Sequence, residues 1–311
     1  MNRDALIFYS EFDDPQAWKK TLTDELPDLT FHTDPEAVAP DTVHYALTWK
    51  PPTGFFARFP NLKLVTNLGA GVDSLVGRTD LPNVPISRLS DTGMVSLMTS
   101  YVMFSVIRYA RDIHIFERAQ RRSEWQYVHP RALSDIRVGV LGLGELGGPA
   151  AQALAGLDFD VRGWSRSAKQ IAGVTCSAGL DTLDAFLTDT EILVIMLPLT
   201  PETRGLLDAR RLSLLPNGAK LINASRGAVV DETALIAALQ SGHIAEATLD
   251  VFTVEPLPKD HVFWRMDNVL ITPHLASITV PEAAAREVAE SIRRVRAGLP
   301  PLHQIDPRRG Y

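Results

Sequence analysis

The sequence predicts an α/β protein built on parallel β-sheet with helices on its faces. Three observations predict it. Short apolar runs recur along the chain and alternate with helical or loop segments, the arrangement that buries a parallel sheet. One run, RVGVLGLG (137–144), enters a glycine turn that opens a helix. Three late runs end in polar residues, at SRG (225–227), LDVF (249–252) and ITPH (271–274). In a parallel sheet such C-terminal ends line one crevice, where ligands bind.

Taken in order, ALIFY (5–9) is expected as a first buried strand. HYALTW (44–49) and LKLVTNLGAGVD (62–73) come next as two more, the second ending in a glycine-rich turn. Turn signals stand between them at Asp13-Asp14-Pro15 and Pro51-Pro52. Residues 92 to about 121 contain no proline and only Gly93, and are expected as one long helix. Its apolar positions are Val102, Ser105, Val106, Tyr109 and Ile113. The strand pattern then restarts with RVGVLGLG, the helix PAAQALAGL, and strands at DVRGWS (160–165), EILVIMLPL (191–199) and AKLINAS (219–225). DETALIAALQSG is expected as a helix with Asp231 as N-cap and Gly242 just past its end. EATLDVF (246–252) and NVLITPH (268–274) are further strands. Thr279-Val280-Pro281-Glu282 has capping-box spacing, ahead of a last helix with Val288, Ile292 and Val295 on one stripe. The pattern reads as two copies of one architecture, the second better marked, with no flexible linker between them.

Length and composition bound the function. The 311 residues suffice for two domains, and 45% apolar residues supply a sizeable core. A formal net charge of -6 argues against a general nucleic-acid or anionic-membrane surface. The single cysteine, Cys176, excludes an intrachain disulfide framework and suits a reducing compartment. The start, MNRDALIFYSEF, lacks the apolar stretch of a signal peptide, and no run approaches the ~18 residues of a membrane span. The expectation is a soluble cytoplasmic protein.

Gly142-Leu143-Gly144-Glu145-Leu146-Gly147 is a G-x-G-x-x-G, a weak pattern alone that gains meaning from its strand-turn-helix context. Gly142 permits the tight turn, Gly144 admits a pyrophosphate to the backbone, and Gly147 lets the helix pack on the sheet. The helix N-terminus then offers N–H groups to phosphates. An NAD-binding chain usually carries Asp or Glu about 20 residues further on, holding the ribose 2′-OH. Here that strand ends in Trp164, Ser165, Arg166 and Ser167, with Lys169 close behind. An arginine and two hydroxyls suit a 2′-phosphate, which favours NADPH and leaves NADH as the weaker alternative. Arg166 as a solvated loop charge is the other reading.

Arg226 stands between two apolar runs, where a guanidinium is costly to bury without a partner. With Glu255 and His274 it forms a recognisable set. Arginine clamps a carboxylate or carbonyl oxygen with two hydrogen bonds, histidine moves a proton near neutral pH, and a glutamate on the other imidazole nitrogen fixes the tautomer. Singly, each has a structural alternative. His274 could bond backbone at a strand end, Glu255 could serve a turn before Pro256, and Arg226 could pair with Asp231 or Glu232.

Several stretches, found in this order, carry a resemblance over nearly the whole chain: ALTWKPP, LGAGVDS, DTGM, LGLGELG, WSRS, LPLTPET, NASRGAVVDE, LDVFTVEPLP, ITPHLASIT and the terminal RGY. The chain resembles the D-2-hydroxyacid dehydrogenases, most closely their glyoxylate/hydroxypyruvate reductase A branch. The resemblance implies two Rossmann-like, doubly wound domains with an active-site cleft between them. It divides the chain into a substrate domain (1–98), a dinucleotide-binding domain (99–278) and a C-terminal helix (279–311) returning to the first. It implies that Arg226 binds the substrate's carboxylate and keto oxygen, that His274 is the catalytic histidine and that Glu255 supports it. It makes Leu68, Gly69, Ala70 and Gly71 a backbone cradle for the substrate carboxylate, with Trp49 and Met94 lining the substrate pocket. It sets Asp250 against the nicotinamide carboxamide, and Leu197, Pro198, Thr203, Ala224 and Ser225 along the cofactor. DTGM (91–94) and the missing ribose-binding acid depart from the broad family and match the branch. The long helix is the family's homodimer interface; Trp125 beyond it reaches the partner's site or is a surface or core residue. The implied activity is NADPH-dependent reduction of small 2-keto acids, glyoxylate or hydroxypyruvate, with no metal. An NAD(H)-sensing corepressor and another dehydrogenase of the family, such as one for phosphoglycerate, are the alternatives.

Overall fold

A computed structural model describes residues 4–75 and 77–305; the RGY of the resemblance lies outside them. In chain order the elements are β1 (Ala5–Tyr9), α1 (Pro15–Glu25), β2 (Thr30–His32), β3 (Val43–Thr48), β4 (Leu64–Asn67), β5 (Ile86–Arg88) and α2 (Thr92–Ala110). Next come α3 (Ile113–Arg121), β6 (Arg137–Leu141), α4 (Gly147–Ala155), β7 (Asp160–Ser165), β8 (Val174–Ala178), α5 (Leu180–Thr188) and β9 (Ile192–Ile195). The rest are α6 (Ala209–Leu214), β10 (Ala219–Asn223), α7 (Glu232–Ser241), β11 (Ile244–Leu249), β12 (Val269–Ile271) and α8 (Pro281–Arg296). They form two compact units. One runs to Met94 and resumes at Ile278; the other is Val95–Ser277.

The first unit holds a parallel sheet ordered β2-β1-β3-β4-β5. Ala5, Leu6, Ile7 and Phe8 are all buried, as expected of a strand covered on both faces. One cover is the pair α1 and α8, which bury Trp18 and Leu22 and, from α8, Ala284, Ala285, Val288 and Ile292. Arg296 fastens the end of α8 to the sheet through Asp4 (3.1 Å) and the Tyr45 hydroxyl (3.3 Å). The order reverses between β1 and β3, so the crevice for a ligand falls outside their C-terminal ends.

The second unit holds a parallel sheet ordered β12-β11-β10-β9-β6-β7-β8. Its strand ends lie level. Trp164, Leu141, Ile195, Asn223, Leu249 and Ile271 are successive partners across six strands. The turns that leave these strand ends therefore emerge along one edge of the sheet. The order reverses between β6 and β9, beside the glycine turn. The two parallel sheets with flanking helices are the α/β fold expected.

Several local expectations need correction. The helix expected from 92 to about 121 breaks at Asp112, which takes the left-handed conformation at φ 56 and starts α3. Aspartate tolerates that conformation at little cost. The break carries Ile113 off the apolar stripe into solvent, while Val102, Ser105, Val106 and Tyr109 stay buried. The capping box at 279–282 does not form. Val280 takes the cap position, Pro281 the first turn, and the Thr279 hydroxyl donates instead to the Leu68 carbonyl. Strands β2, β5 and β8 were not expected; the first two have three residues each and β8 is a half-exposed edge. Asp231 and Gly242 cap α7 as expected, Asp231 accepting from the Ala234 amide at 3.0 Å and Gly242 at φ 77. Trp125 lies fully exposed. No helix among the described residues is long and apolar enough to cross a membrane.

Candidate functional site

The glycine turn leaves β6 as its motif requires. Gly142 sits at φ 115, a conformation that side chains other than glycine rarely adopt, and its amide donates to the Trp164 carbonyl at 2.8 Å. A Cβ on Gly147 would collide with the Gly142 carbonyl, so only glycine lets α4 begin this close to the strand. A Cβ on Gly144 would meet nothing, so the backbone there faces open space. A hollow of about 430 Å³ adjoins it, lined by Glu145, Gly148, Gln152, Lys169 and Ile171 among others. A bare backbone at a helix N-terminus beside an open hollow fits a dinucleotide pyrophosphate.

At the end of β7 the structure separates the four expected residues. Trp164 is buried and its indole N–H donates to the Gly179 carbonyl at 2.9 Å, a structural bond. Ser165 is nearly buried and its hydroxyl donates to the Ser167 carbonyl at 2.7 Å, which shapes the turn. Arg166 and Ser167 are exposed. The Glu202 carboxyl is held below its usual range by hydrogen bonding to Thr200 and in its own turn, with the charge of Arg166 contributing. Leu197 is buried and Pro198 exposed. The Thr203 hydroxyl donates to the Pro198 carbonyl at 2.6 Å and accepts from the Thr200 amide at 2.8 Å, so it braces its own turn.

Past β10, Asn223 builds the next turn. Its side-chain oxygen accepts from the Ser225 amide (3.1 Å) and hydroxyl (3.0 Å), and its amide donates to the Arg226 carbonyl at 3.1 Å. Ala224 and Ser225 are buried within it, and Arg226 is half-buried, with Nη1 bonded to the Ser225 carbonyl at 2.7 Å. Gly227 lies so close to the backbone of Phe252 and Thr253 that any Cβ would clash. The arginine turn therefore abuts the segment that carries Glu255. Asp231 is occupied in capping α7, and Glu232 stands 3.3 Å from His261.

Glu255 and His274 come together. Glu255 Oε2 lies 2.9 Å from His274 Nδ1, and Oε1 accepts from the Phe252 amide at 3.1 Å, which aims the carboxylate. Both side chains are about a quarter exposed, at 23% and 30%. His274 has φ 58, left-handed backbone that a histidine adopts at some strain. Asp250 holds it there. The Asp250 carbonyl accepts the His274 amide at 2.8 Å, and its buried carboxylate accepts from Leu275 N (2.8 Å), Ala276 N (2.9 Å) and Thr272 Oγ1 (2.5 Å). The Thr272 hydroxyl donates its hydrogen bond to Asp250, so it accepts from the Tyr101 hydroxyl at 2.7 Å. Burial pushes the Tyr101 phenol up, which keeps it a donor.

In the first unit the LGAG turn succeeds β4. The Leu68 amide donates to Thr48 O at 2.9 Å, and Trp49 N donates to Tyr9 O at 2.7 Å. The Trp49 ring lies on the turn: a Cβ at Gly69 would stand 2.7 Å from Trp49 Cζ3. Met94 is buried in the first turn of α2, which Asp91 caps by accepting from Gly93 N (2.8 Å) and Met94 N (3.1 Å). Thr279 Oγ1 lies 3.6 Å from the Met94 sulfur.

Sequence reasoning missed Asn223, Thr272 and Tyr101. Asn223 carried a readable signal, since an asparagine closing an apolar strand is a ready turn-former. Thr272 and Tyr101 meet only through tertiary packing.

The doubly wound sheet, the glycine turn at its switch point and the Glu–His pair on the same edge define a dinucleotide-binding dehydrogenase. Residues 103–276 match the model of the D-isomer specific 2-hydroxyacid dehydrogenase NAD binding domain. The chain is 41% identical over 313 residues to glyoxylate/hydroxypyruvate reductase A of Serratia proteamaculans, covering 98% of this chain and 99% of that one. A D-isomer specific 2-hydroxyacid dehydrogenase of Xanthobacter autotrophicus Py2, solved with NADPH and MES, is 60% identical with a TM-score of 0.95, over 99% of this chain and 100% of that one. The NADPH-dependent glyoxylate/hydroxypyruvate reductase of Sinorhizobium meliloti, solved with NADP and sulfate, is 35% identical with a TM-score of 0.92, over 99% and 100%. This chain belongs to the D-isomer specific 2-hydroxyacid dehydrogenase family.

Proposed function

We propose that the protein reduces small 2-keto acids, glyoxylate or hydroxypyruvate, to D-2-hydroxy acids with NADPH. The observation that carries the reading is the Glu255–His274 pair at 2.9 Å, on the sheet edge that also bears the glycine turn. The names of the relatives from Serratia and Sinorhizobium support it.

The glycine turn and the α4 N-terminus would hold the cofactor pyrophosphate. Exposed Arg166 and Ser167, with Ser165, suit a 2′-phosphate, and the absence of a carboxylate on this strand end favours NADPH over NADH. Leu197, Pro198, Thr203, Ala224 and Ser225 would flank the dinucleotide. NADPH, when bound, supplies a hydride for the keto carbon. Glu255 accepts a hydrogen bond from the His274 Nδ1–H, so the ring, entering the step protonated on both nitrogens, gives its Nε2 proton to the keto oxygen and is left as the Nδ1–H tautomer. Arg226 stabilises the charge developing on that oxygen and holds the carboxylate. The amides of the LGAG turn are assigned to the carboxylate, and Trp49 and Met94 to the pocket that selects substrate size. The reading includes a homodimer, supported by Leu97, Phe104 and Ile107, which expose an apolar face of α2. Cytoplasmic residence suits the free thiol of Cys176.

The test is a steady-state panel of keto acids with NADPH and with NADH, monitored at the nicotinamide absorbance. Arg226→Ala should lose on the order of 10²-fold or more in kcat/KM. Near-normal turnover by that variant would remove Arg226 from the chemistry, and no turnover by the native protein would remove the reductase reading.

A further inference from the structure

We propose that Asn67 and Arg88 are positioning residues that hold the LGAG turn in its anion-binding form. The proposal rests on the assignment of that turn to the substrate carboxylate. The two residues end neighbouring strands, β4 and β5, and are register partners. Asn67 is fully buried, and its Nδ2 donates to the carbonyls of Gly69 (2.8 Å) and Gly71 (2.9 Å). Arg88 Nη1 donates to the carbonyl between them, that of Ala70, at 3.2 Å. Three successive carbonyls are thus tied to side chains of one strand pair.

Peptide planarity then sets the direction of the amides. Within each planar trans unit the C=O and the next N–H point in opposite directions. With the carbonyls of 69, 70 and 71 held, the amides of Ala70, Gly71 and Val72 face away from Asn67 and Arg88. Among the described residues no backbone carbonyl accepts a hydrogen bond from these amides. Ala70 and Gly71 are half-exposed, so two of the three donors stand near solvent. The Asn67 orientation is forced as well. Its nitrogen faces two carbonyl oxygens, and the flipped carboxamide would set oxygen against both. The Trp49 ring, packed on Gly69, blocks a shift to that side.

The hold matters because two residues of the turn are glycine, whose peptides flip readily. A flipped peptide would present a carbonyl to the carboxylate in place of an amide. Donors fixed beforehand bind without that reorganisation, and the Arg88 charge beneath the turn adds attraction.

Asn67→Asp replaces the donor by an oxygen facing two carbonyls with little change of volume. It should raise the KM for glyoxylate about ten-fold or more, while kcat changes less than about three-fold. Affinity for NADPH, read by fluorescence titration, should not change. Binding of oxamate to the NADPH complex, read by calorimetry, should weaken in parallel. Arg88→Gln should act in the same direction and more weakly, and Arg88→Lys, which keeps charge and donor, should restore most of the affinity. If Asn67→Asp fails to fold, the two Arg88 variants decide the matter. Folded variants with KM and oxamate affinity within about two-fold of native would overturn the proposal, as would a loss confined to kcat. A native protein that turns over no keto acid, yet binds oxamate in an Asn67-dependent way, would overturn the reductase reading and leave the positioning role standing. A native protein that neither turns over a keto acid nor binds oxamate overturns both.

Discussion

Replacing Asp250 by asparagine tests whether the strained histidine is held from behind. Three donors converge on this buried carboxylate: Leu275 N, Ala276 N and Thr272 Oγ1. An asparagine keeps one acceptor oxygen, so whichever way its amide turns, an N–H2 group faces a backbone N–H. The change removes one charge-assisted hydrogen bond and opposes two donors, a loss of about 2 kcal/mol. His274 meanwhile sits at φ 58, a conformation costing roughly 1 kcal/mol for a non-glycine residue. The loop then relaxes toward an unstrained backbone and carries the imidazole away from Glu255. If the lost energy appears in positioning, kcat/KM falls about 30-fold, mostly through kcat. The assay is turnover of glyoxylate with NADPH, alongside NADPH affinity and the melting temperature. A kcat/KM within about two-fold of native refutes the argument. A rise confined to the KM for NADPH would instead show that Asp250 acts on the cofactor, as the family resemblance implies.

Gly147→Ala should weaken NADPH by more than about ten-fold in calorimetry, because its methyl group requires the Gly142 carbonyl to move. Ser165→Asp with Arg166→Gln should lower the NADPH-to-NADH ratio of kcat/KM on the order of ten-fold; an unchanged ratio would deny these residues the 2′-phosphate. Burial pushes the His114 imidazole down to about 4, from an ordinary 6.5. The unfolded chain therefore takes up this proton first as the pH falls. The stability it contributes is complete above about 6.5 and lost on the way down to about 4, up to about 3 kcal/mol. His114→Phe should flatten that limb of a urea-denaturation series taken between pH 7 and pH 4, and an identical slope would show that His114 is not its source. Glu246, raised chiefly by burial, acts in the opposite sense, since its contribution is lost as pH rises, so the difference between variant and native isolates the histidine.

The sheets were legible because their strands are buried on both faces and read as apolar runs. The glycine turn was legible because each glycine answers a separate steric demand at a fixed spacing. The residue types of the Glu–His pair could be read, but their meeting depends on the turn at 252–255, whose path no periodicity encodes. Asp250 was expected from the resemblance alone, at the end of β11 beside the nicotinamide; the bonds of its carboxylate to the loop around His274 leave no mark in the sequence. The break at Asp112 was hidden because a left-handed aspartate leaves little local signature, and the burial of His114 and Ala119 that goes with it is tertiary. The hold on the LGAG turn was out of reach because ISR is too short to announce a strand, and without β5 nothing brings Arg88 beside Asn67.

Helix α8 belongs to the unit built from the other end of the chain. During synthesis residues 95–277 are complete, and free to fold as one contiguous piece, while the earlier strands still wait for a covering that has not been translated. Trp18 and Leu22 of α1, buried in the finished unit, lack their α8 cover until Val288 and Ile292 arrive. A chain stopped before Pro281 would leave the nucleus of one half mature and the other half a client for chaperones, an asymmetry that limited proteolysis of the truncated product would display.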